Sequence, residues 1–299
     1  MFRAPALLGF LLAGALACST DIRTNPEPPL SPDFEVGQIA CSAHGATQVT
    51  IDFPGAVGTR AQGINNRGDI AGSYTAADFT DHGYLFRDGA FTTIDLPGAD
   101  RSVPQSINSR GDVVGYYHVG GVEHGFLLQD GTFTSVDVAG ATSTYAGGIN
   151  SRGDIVGYFI TAGVKHGYLL RQGSFTSIDV PGAATTGATG INDRGQIVGE
   201  YLAAGVTRGF LLHGGTFTAL DAPAAAGSTR AFGINNCGDI VGDYLRADGT
   251  QPGFLLSKGT FTTIDVSGSI HTLLDAINDR GTISGFYTTG TDHGLLVTR

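Results

Sequence analysis

The chain has 299 residues, which is enough for one large domain or two ordinary ones. Charged residues make up only 15% of it and glycine contributes 47 residues, so short strands joined by tight turns are expected. The formal net charge of −10 is spread without long acidic runs, and the absence of a basic patch argues against a nucleic-acid partner.

The N-terminus predicts export. Residues 1–17 read MFRAPALLGFLLAGALA, in which Arg3 precedes an apolar run that is too short to span a bilayer and ends in small residues. This pattern predicts a signal peptide over residues 1–17. Cys18 follows directly, and the string GALAC resembles the lipobox of bacterial lipoproteins, in which this cysteine becomes the lipidated N-terminus. Ordinary secretory cleavage is the alternative, and both place the mature protein outside the cytoplasm.

A proline-rich segment comes next. Four prolines lie between Pro26 and Pro32, and such a composition favours extended chain over a packed core. Residues 18–46 are therefore predicted to be a tether. Export permits a disulfide between Cys41 and Cys237, but two unpaired thiols fit the sequence equally well.

An internal repeat determines the predicted architecture. The dipeptide Ile-Asn recurs at spacings of 42 or 43 residues, at Ile64, Ile107, Ile149, Ile191, Ile234 and Ile277. One unit, residues 148–182, divides into four short apolar runs bounded by Gly, Asn and Asp, and no part of it has a helical period. Four strands in a repeat of this length are typical of a β-propeller blade.

The ends of the repeat array predict how the ring closes. The last unit stops at Arg299 without its fourth strand, whereas TQVTIDFPGA at residues 47–56 matches the fourth strand of a unit. An N-terminal strand that completes the last blade leaves no exposed sheet edge. We therefore predict an all-β fold, a six-bladed propeller over residues 47–299 with repeats starting near residues 63, 106, 148, 190, 233 and 276.

The repeat also resembles a known family. The recurring pattern HGFLL…GTFTxIDVPGA…GINxRGDIVGxY is similar to the HAF-type extracellular repeats of bacteria, and the resemblance covers about residues 47–299. This chain has HGF or HGY where the name-giving string is His-Ala-Phe. The resemblance implies an exported bacterial repeat protein and no established chemistry.

Columns that recur in every blade are predicted to be structural, because a catalytic group is needed only once. Asparagine after each Ile and glycine three residues later fit a tight turn, so the Arg67-Gly68-Asp69 tripeptide is interpreted as turn sequence rather than as an adhesion ligand. Four blades carry a histidine at the start of the third strand: His82, His124, His166 and His293. Equivalent positions in different blades are too far apart to share one metal ion, so these side chains are expected to brace a loop.

No motif for catalysis, phosphate binding or calcium binding is present, and no metal or cofactor is predicted. Glu200 and Asp243 break the column that contains Tyr116 and Tyr158, which is compatible with a pair of glycosidase carboxylates. Exposed polar replacement is the simpler interpretation of both residues.

The candidate binding site lies where the innermost strands begin, on the face that carries the loops of variable sequence. Two columns of these strands vary between blades, and six of their residues are candidates to line a polar pocket at the mouth of the channel: Arg60, Gln62, Gln105, Tyr145, Arg230 and Asp275. Arg60 and Arg230 flank Asp275 around the ring. A self-satisfied salt-bridge cluster that plugs the channel is the alternative.

These observations favour a non-catalytic exported module, expected to be a monomer, that recognises a glycan or protein at the bacterial surface. It would meet a membrane only through the lipid on Cys18. An envelope hydrolase or lyase with its active site at the channel mouth, and a purely structural spacer, are the alternatives.

Overall fold

The computed structural model of the chain describes residues 38–40 and 47–298. The predicted signal peptide, the lipidation site at Cys18 and all of the tether except residues 38–40 lie outside the described residues. Cys237 is disulfide-bonded. The alternative of two unpaired thiols is therefore wrong for Cys237, and Cys41 lies outside the described residues. No helix among the described residues is long and apolar enough to cross a membrane.

The described residues form 25 strands. The first two are β1 (Gln38–Ala40) and β2 (Thr47–Ile51). Blade 1 contains β3 (Gly58–Ile64), β4 (Ile70–Thr75), β5 (Asp81–Arg87) and β6 (Ala90–Ile94). Blade 2 contains β7 (Arg101–Ile107), β8 (Val113–Val119), β9 (Val122–Gln129) and β10 (Thr132–Val136). Blade 3 contains β11 (Ser143–Ile149), β12 (Ile155–Thr161), β13 (Val164–Arg171) and β14 (Ser174–Ile178).

The second half of the ring repeats this arrangement. Blade 4 contains β15 (Thr185–Ile191), β16 (Ile197–Ala203), β17 (Val206–His213) and β18 (Thr216–Leu220). Blade 5 contains β19 (Thr229–Ile234), β20 (Ile240–Tyr244), β21 (Gly253–Ser257) and β22 (Thr260–Ile264). Blade 6 contains β23 (His271–Ile277), β24 (Ile283–Thr288) and β25 (Asp292–Thr298), and its fourth strand is β2.

The fold is the predicted six-bladed propeller of antiparallel four-stranded blades, and β2 closes the ring as expected. It pairs antiparallel with β25, from Thr47 opposite Thr298 to Ile51 opposite Gly294. One strand was not predicted: β1 lies within the range assigned to the tether and pairs antiparallel with the outer side of β2.

A ring of hydrogen bonds joins the six blades at one end of the channel. The amide nitrogen of each repeated asparagine donates to the main-chain carbonyl of its counterpart in the next blade, at 2.9 to 3.3 Å. The last of these bonds runs from Asn278 to Asn65 and closes the circle at 3.1 Å. The side-chain oxygen of Asn65 meanwhile accepts the main-chain N–H of Arg67, as the turn interpretation expects.

The apolar core lies between neighbouring blades rather than inside any one blade. One cluster packs Ile51 of blade 6 against Ala61, Ile64 and Tyr84 of blade 1. The innermost strands are so close that a Cβ atom on Gly63 would lie 2.8 Å from the Cα of Ser106 in the next blade. Crowding at the axis therefore explains why this position is always Gly, Ala or Ser.

Ring closure by β2 has a direct test in Ile51, whose side chain is 1% exposed. The replacement Ile51→Ala leaves a cavity between the last and first blades, and we expect it to lower the free energy of unfolding by about 2–5 kcal/mol. Thr47→Ala on the same strand is the control, because Thr47 is exposed and its replacement should change stability little. Urea denaturation measures both variants, and equal midpoints would contradict closure through β2.

Candidate functional site

The Arg-Gly-Asp sequence forms the turn between the first two strands of blade 1. The Arg67 guanidinium lies 2.7 Å from the Asp69 carboxylate, whose side chain is buried. Burial raises the pKa of Asp69, but hydrogen bonds from Asn65, Arg67 and Arg87 outweigh it and hold the pKa below its ordinary value. The acid of the tripeptide is thus bound within the blade, which agrees with a role as turn sequence.

The histidine column braces the blades, as predicted. His82 lies 3.1 Å from Asp95, which directly follows the fourth strand of the same blade. Each of the other three histidines lies 2.9 to 3.1 Å from the equivalent aspartate of its own blade. In blade 4, Arg208 replaces histidine and contacts Asp221 at 2.5 Å. Within the part of the chain that the structure describes, no group of three or more His, Cys, Asp or Glu side chains is placed to hold a metal ion.

A cavity of about 290 Å³ opens at the end of the channel away from the Arg-Gly-Asp turns. Four of the six predicted site residues line it together: Gln105, Tyr145, Arg230 and Asp275. The other two, Arg60 and Gln62, lie on the innermost strand β3 at positions equivalent to Arg230 and Asp275 in their own blades. Four of the eleven residues that line this cavity, which we call the channel-mouth cavity, were therefore candidates from the sequence.

Tyrosine rings form one wall of the channel-mouth cavity. Tyr145 and Tyr158 are opposed across neighbouring strands and stack at 4.6 Å between ring centroids. Tyr116 of the preceding blade packs at 5.1 Å from Tyr145. The Tyr145 hydroxyl donates a hydrogen bond to the side-chain oxygen of Gln105, which fixes the ring in place. Phe232 adds a further aromatic ring to the lining.

Both arginines at the mouth form salt bridges, as the salt-bridge alternative expects, but their partners are other carboxylates and not Asp275. Arg230 forms a two-pronged pair with Asp243, with one N–O distance of 2.9 Å. Arg60 pairs with Asp292 at 2.6 Å. Asp243 stands opposite Arg230 on the paired strand of the same blade, whereas Asp292 begins β25 of blade 6, the blade next to Arg60.

The interpretation of Glu200 and Asp243 as exposed replacements is wrong. The Asp243 side chain is 1% exposed, and Glu200 is only 22% exposed and pairs with Lys165 at 2.6 Å. Both side chains stand opposite the innermost strand, Asp243 facing Arg230 and Glu200 facing Gly187. The signal in the sequence was that both acids depart from the column that contains Tyr116 and Tyr158. Because this column stands opposite the innermost strand, an acid in it lies next to the lumen.

Two buried side-chain oxygen atoms on neighbouring innermost strands have no hydrogen-bond partner within the described residues. These atoms are Oδ2 of Asp275 and Oε1 of Gln62. Burial raises the pKa of Asp275 to about 7, with a further contribution from the Asp243 carboxylate. Arg60 and Arg230 lower it but do not offset the burial. The floor of the cavity thus holds a carboxyl group that titrates near neutral pH.

This titration has a consequence for stability. The folded protein holds the Asp275 proton up to about pH 7, whereas an aspartate in the unfolded chain releases it near its ordinary pKa of 3.8. Between these values the folded state binds more protons, so this group costs stability as the pH rises. We expect Asp275→Asn to raise stability relative to the parent above about pH 7 and to change it little below about pH 4. Thermal unfolding across this range measures the difference, and a difference independent of pH would contradict the assignment.

Comparisons with known proteins show the fold. No family model matches the chain, and no curated protein matches it. Among solved structures it is similar to AofleA from Arthrobotrys oligospora, with 15% identity, a TM-score of 0.54 and coverage of 85% of this chain and 86% of that one. It is also similar to virginiamycin B lyase from Staphylococcus aureus, with 13% identity, a TM-score of 0.52 and coverage of 85% and 99%.

A third similar structure is a putative gluconolactonase, with 11% identity, a TM-score of 0.53 and coverage of 87% of this chain and 95% of that one. At this level of identity the likeness concerns the fold alone. The class that the fold defines is therefore the six-bladed β-propeller, a scaffold on which binding proteins and enzymes both occur.

Proposed function

We propose that the protein is a binding module that holds a sugar residue of a glycan in the channel-mouth cavity. The observation that carries this proposal is the combination, in one cavity, of the stacked Tyr145 and Tyr158 rings with the polar side chains of Gln105, Arg230 and Asp275. Sugars present apolar C–H groups and a rim of hydroxyl groups, and the cavity lining contains aromatic side chains for the first and polar side chains for the second. The volume of about 290 Å³ is at the small end of ligand pockets and suits a single sugar ring.

The surface around the mouth supports contact with a larger partner. Among the described residues, seven of the eight exposed large apolar side chains lie in the loops and strand ends of this face: Val57, Phe79, Val119, Val122, Val164, Val206 and Ile270. Phe79 is 78% exposed at the tip of its loop. Exposed apolar residues concentrated on one face are typical of a contact surface. We therefore place the remainder of a bound glycan, or its carrier protein, over these loops.

A glycan array tests the proposal. Truncation of an aromatic anchor usually costs more than about 1 kcal/mol, so we expect Tyr158→Ala to weaken glycan binding by about tenfold. Arg67→Ala is the control, because Arg67 lies in a turn at the opposite end of the channel, and its binding should equal that of the parent. Binding to no glycan on the array would contradict the proposal and favour a structural spacer.

A hydrolase or lyase at the same cavity is the second candidate function. The observation that favours it is Asp275, because a carboxyl group that titrates near pH 7 suits general acid–base chemistry. The carboxylates of Glu200 and Asp243 stand at the same mouth. Incubation with each glycan that binds distinguishes the two functions: cleavage that Asp275→Asn abolishes would replace the binding module with an enzyme.

We further propose that the protein is an exported member of the HAF-type repeats, tethered to a bacterial membrane through Cys18. The signal sequence and the lipobox-like string GALAC support this proposal. The replacement Cys18→Ala should move the protein from the membrane fraction to the soluble exported fraction, because the acceptor of the lipid is gone. Unchanged fractionation on immunoblots would contradict the tether and leave ordinary secretion.

A further inference from the structure

The charges at the channel mouth leave one carboxylate without a counter-ion. Arg230 is paired with Asp243, Lys165 with Glu200, and Arg60 with Asp292. Asp275 lines the cavity below these pairs and forms no ion pair of its own within the described residues. A buried carboxylate is costly unless a donor or a cation meets it. Without a ligand, Asp275 avoids this cost by keeping its proton up to about pH 7, and a bound cation would take the place of that proton.

One buried oxygen of this carboxyl group also restricts the ligand. Oδ2 of Asp275, which lines the cavity, has no hydrogen-bond partner within the described residues. A buried acceptor without a donor costs about 1–3 kcal/mol, so a ligand that fits must present N–H or O–H groups here. An ammonium group has three donors, no acceptor and a positive charge, which matches a carboxylate that has no ion pair.

Aromatic faces line the same cavity. Tyr145 and Phe232 both contribute to its wall, and the Phe232 ring already has the Arg230 guanidinium over it at 5.3 Å. Aromatic rings attract cations within about 6 Å of the centroid, and the attraction grows when water is excluded. The wall thus tolerates a cationic group beside a sugar ring.

We propose that the sugar bound in the channel-mouth cavity is an amino sugar with a free amine, whose ammonium group contacts Asp275. This inference rests on the proposed glycan-binding function. A neutral sugar offers hydroxyl donors but no charge for the carboxylate. An N-acetylated sugar replaces the charge with a neutral amide and is bulkier at this position. The pKa of Asp275, raised to about 7 by burial, is in keeping with a carboxylate that lacks its cation.

Three tetrasaccharides with the same β-1,4 linkage isolate the amine: the tetramers of glucosamine, of N-acetylglucosamine and of glucose. Isothermal titration of the full chain near neutral pH should show the glucosamine tetramer binding at least about tenfold more tightly than the other two. Asp275→Asn should remove this preference, so that the ratio of the dissociation constants of the glucosamine and glucose tetramers falls to about one, whatever the variant's effect on the binding of either tetramer alone. Asp88→Asn is the matched control, since it removes the same charge from an exposed turn and should keep the preference.

Each outcome has a distinct meaning. Equal binding of the three tetramers, or binding of other glycans on the array but not of these, would overturn the amino-sugar inference and leave the glycan-binding function standing. A preference that persists in Asp275→Asn would overturn the assignment to this carboxylate and point to general attraction by the net charge of −10. Failure of every glycan to bind would refute the inference and the proposed function together.

Discussion

The closed ring of six asparagine hydrogen bonds is the constraint on which the rest of the structure depends. Each asparagine bonds its own turn and the carbonyl of the next blade, so one side chain fixes both a hairpin and a blade-to-blade contact. The bond from Asn278 to Asn65 makes the chain of contacts circular. This ring holds the innermost strands at a fixed spacing, and those strands carry Gln105, Tyr145, Arg230 and Asp275 to one cavity. The candidate site is therefore built on rigid elements, with loops only around its rim.

The fold was predictable because its requirements repeat. A period of 42 or 43 residues, the small residue at the axis and the displaced fourth strand each follow from the geometry of a ring, and all of them are visible in the sequence. The asparagine ring was only partly predictable. The sequence indicated that Asn65 binds its own turn, but its second bond goes to a residue 43 positions away, and one repeat alone does not show that contact.

The position of the candidate site could be predicted from the sequence, but the ion-pair partners of its charged side chains could not. Two positions of the innermost strand vary between blades on an otherwise regular strand. These positions indicated the lumen and, within it, Tyr145 and Asp275. The partner of each charge depended on distances between strands that sequence does not supply. Arg230 meets Asp243 directly across a strand pair, so Asp275 stays unpaired although two arginines flank it around the ring. Glu200 and Asp243 lie at the channel mouth for the same reason, because each stands directly opposite a residue of the innermost strand.

The proposed function requires that a sugar ring of the ligand binds in the channel-mouth cavity. A crystal structure of the protein soaked with the glycan that binds best tests it most directly. We expect density for a sugar ring against Tyr145 and Tyr158, with a donor of that sugar within hydrogen-bonding distance of the Asp275 carboxylate. Sugar density confined to the outer strands of the blades, or to the end of the channel that carries the asparagine ring, would contradict it.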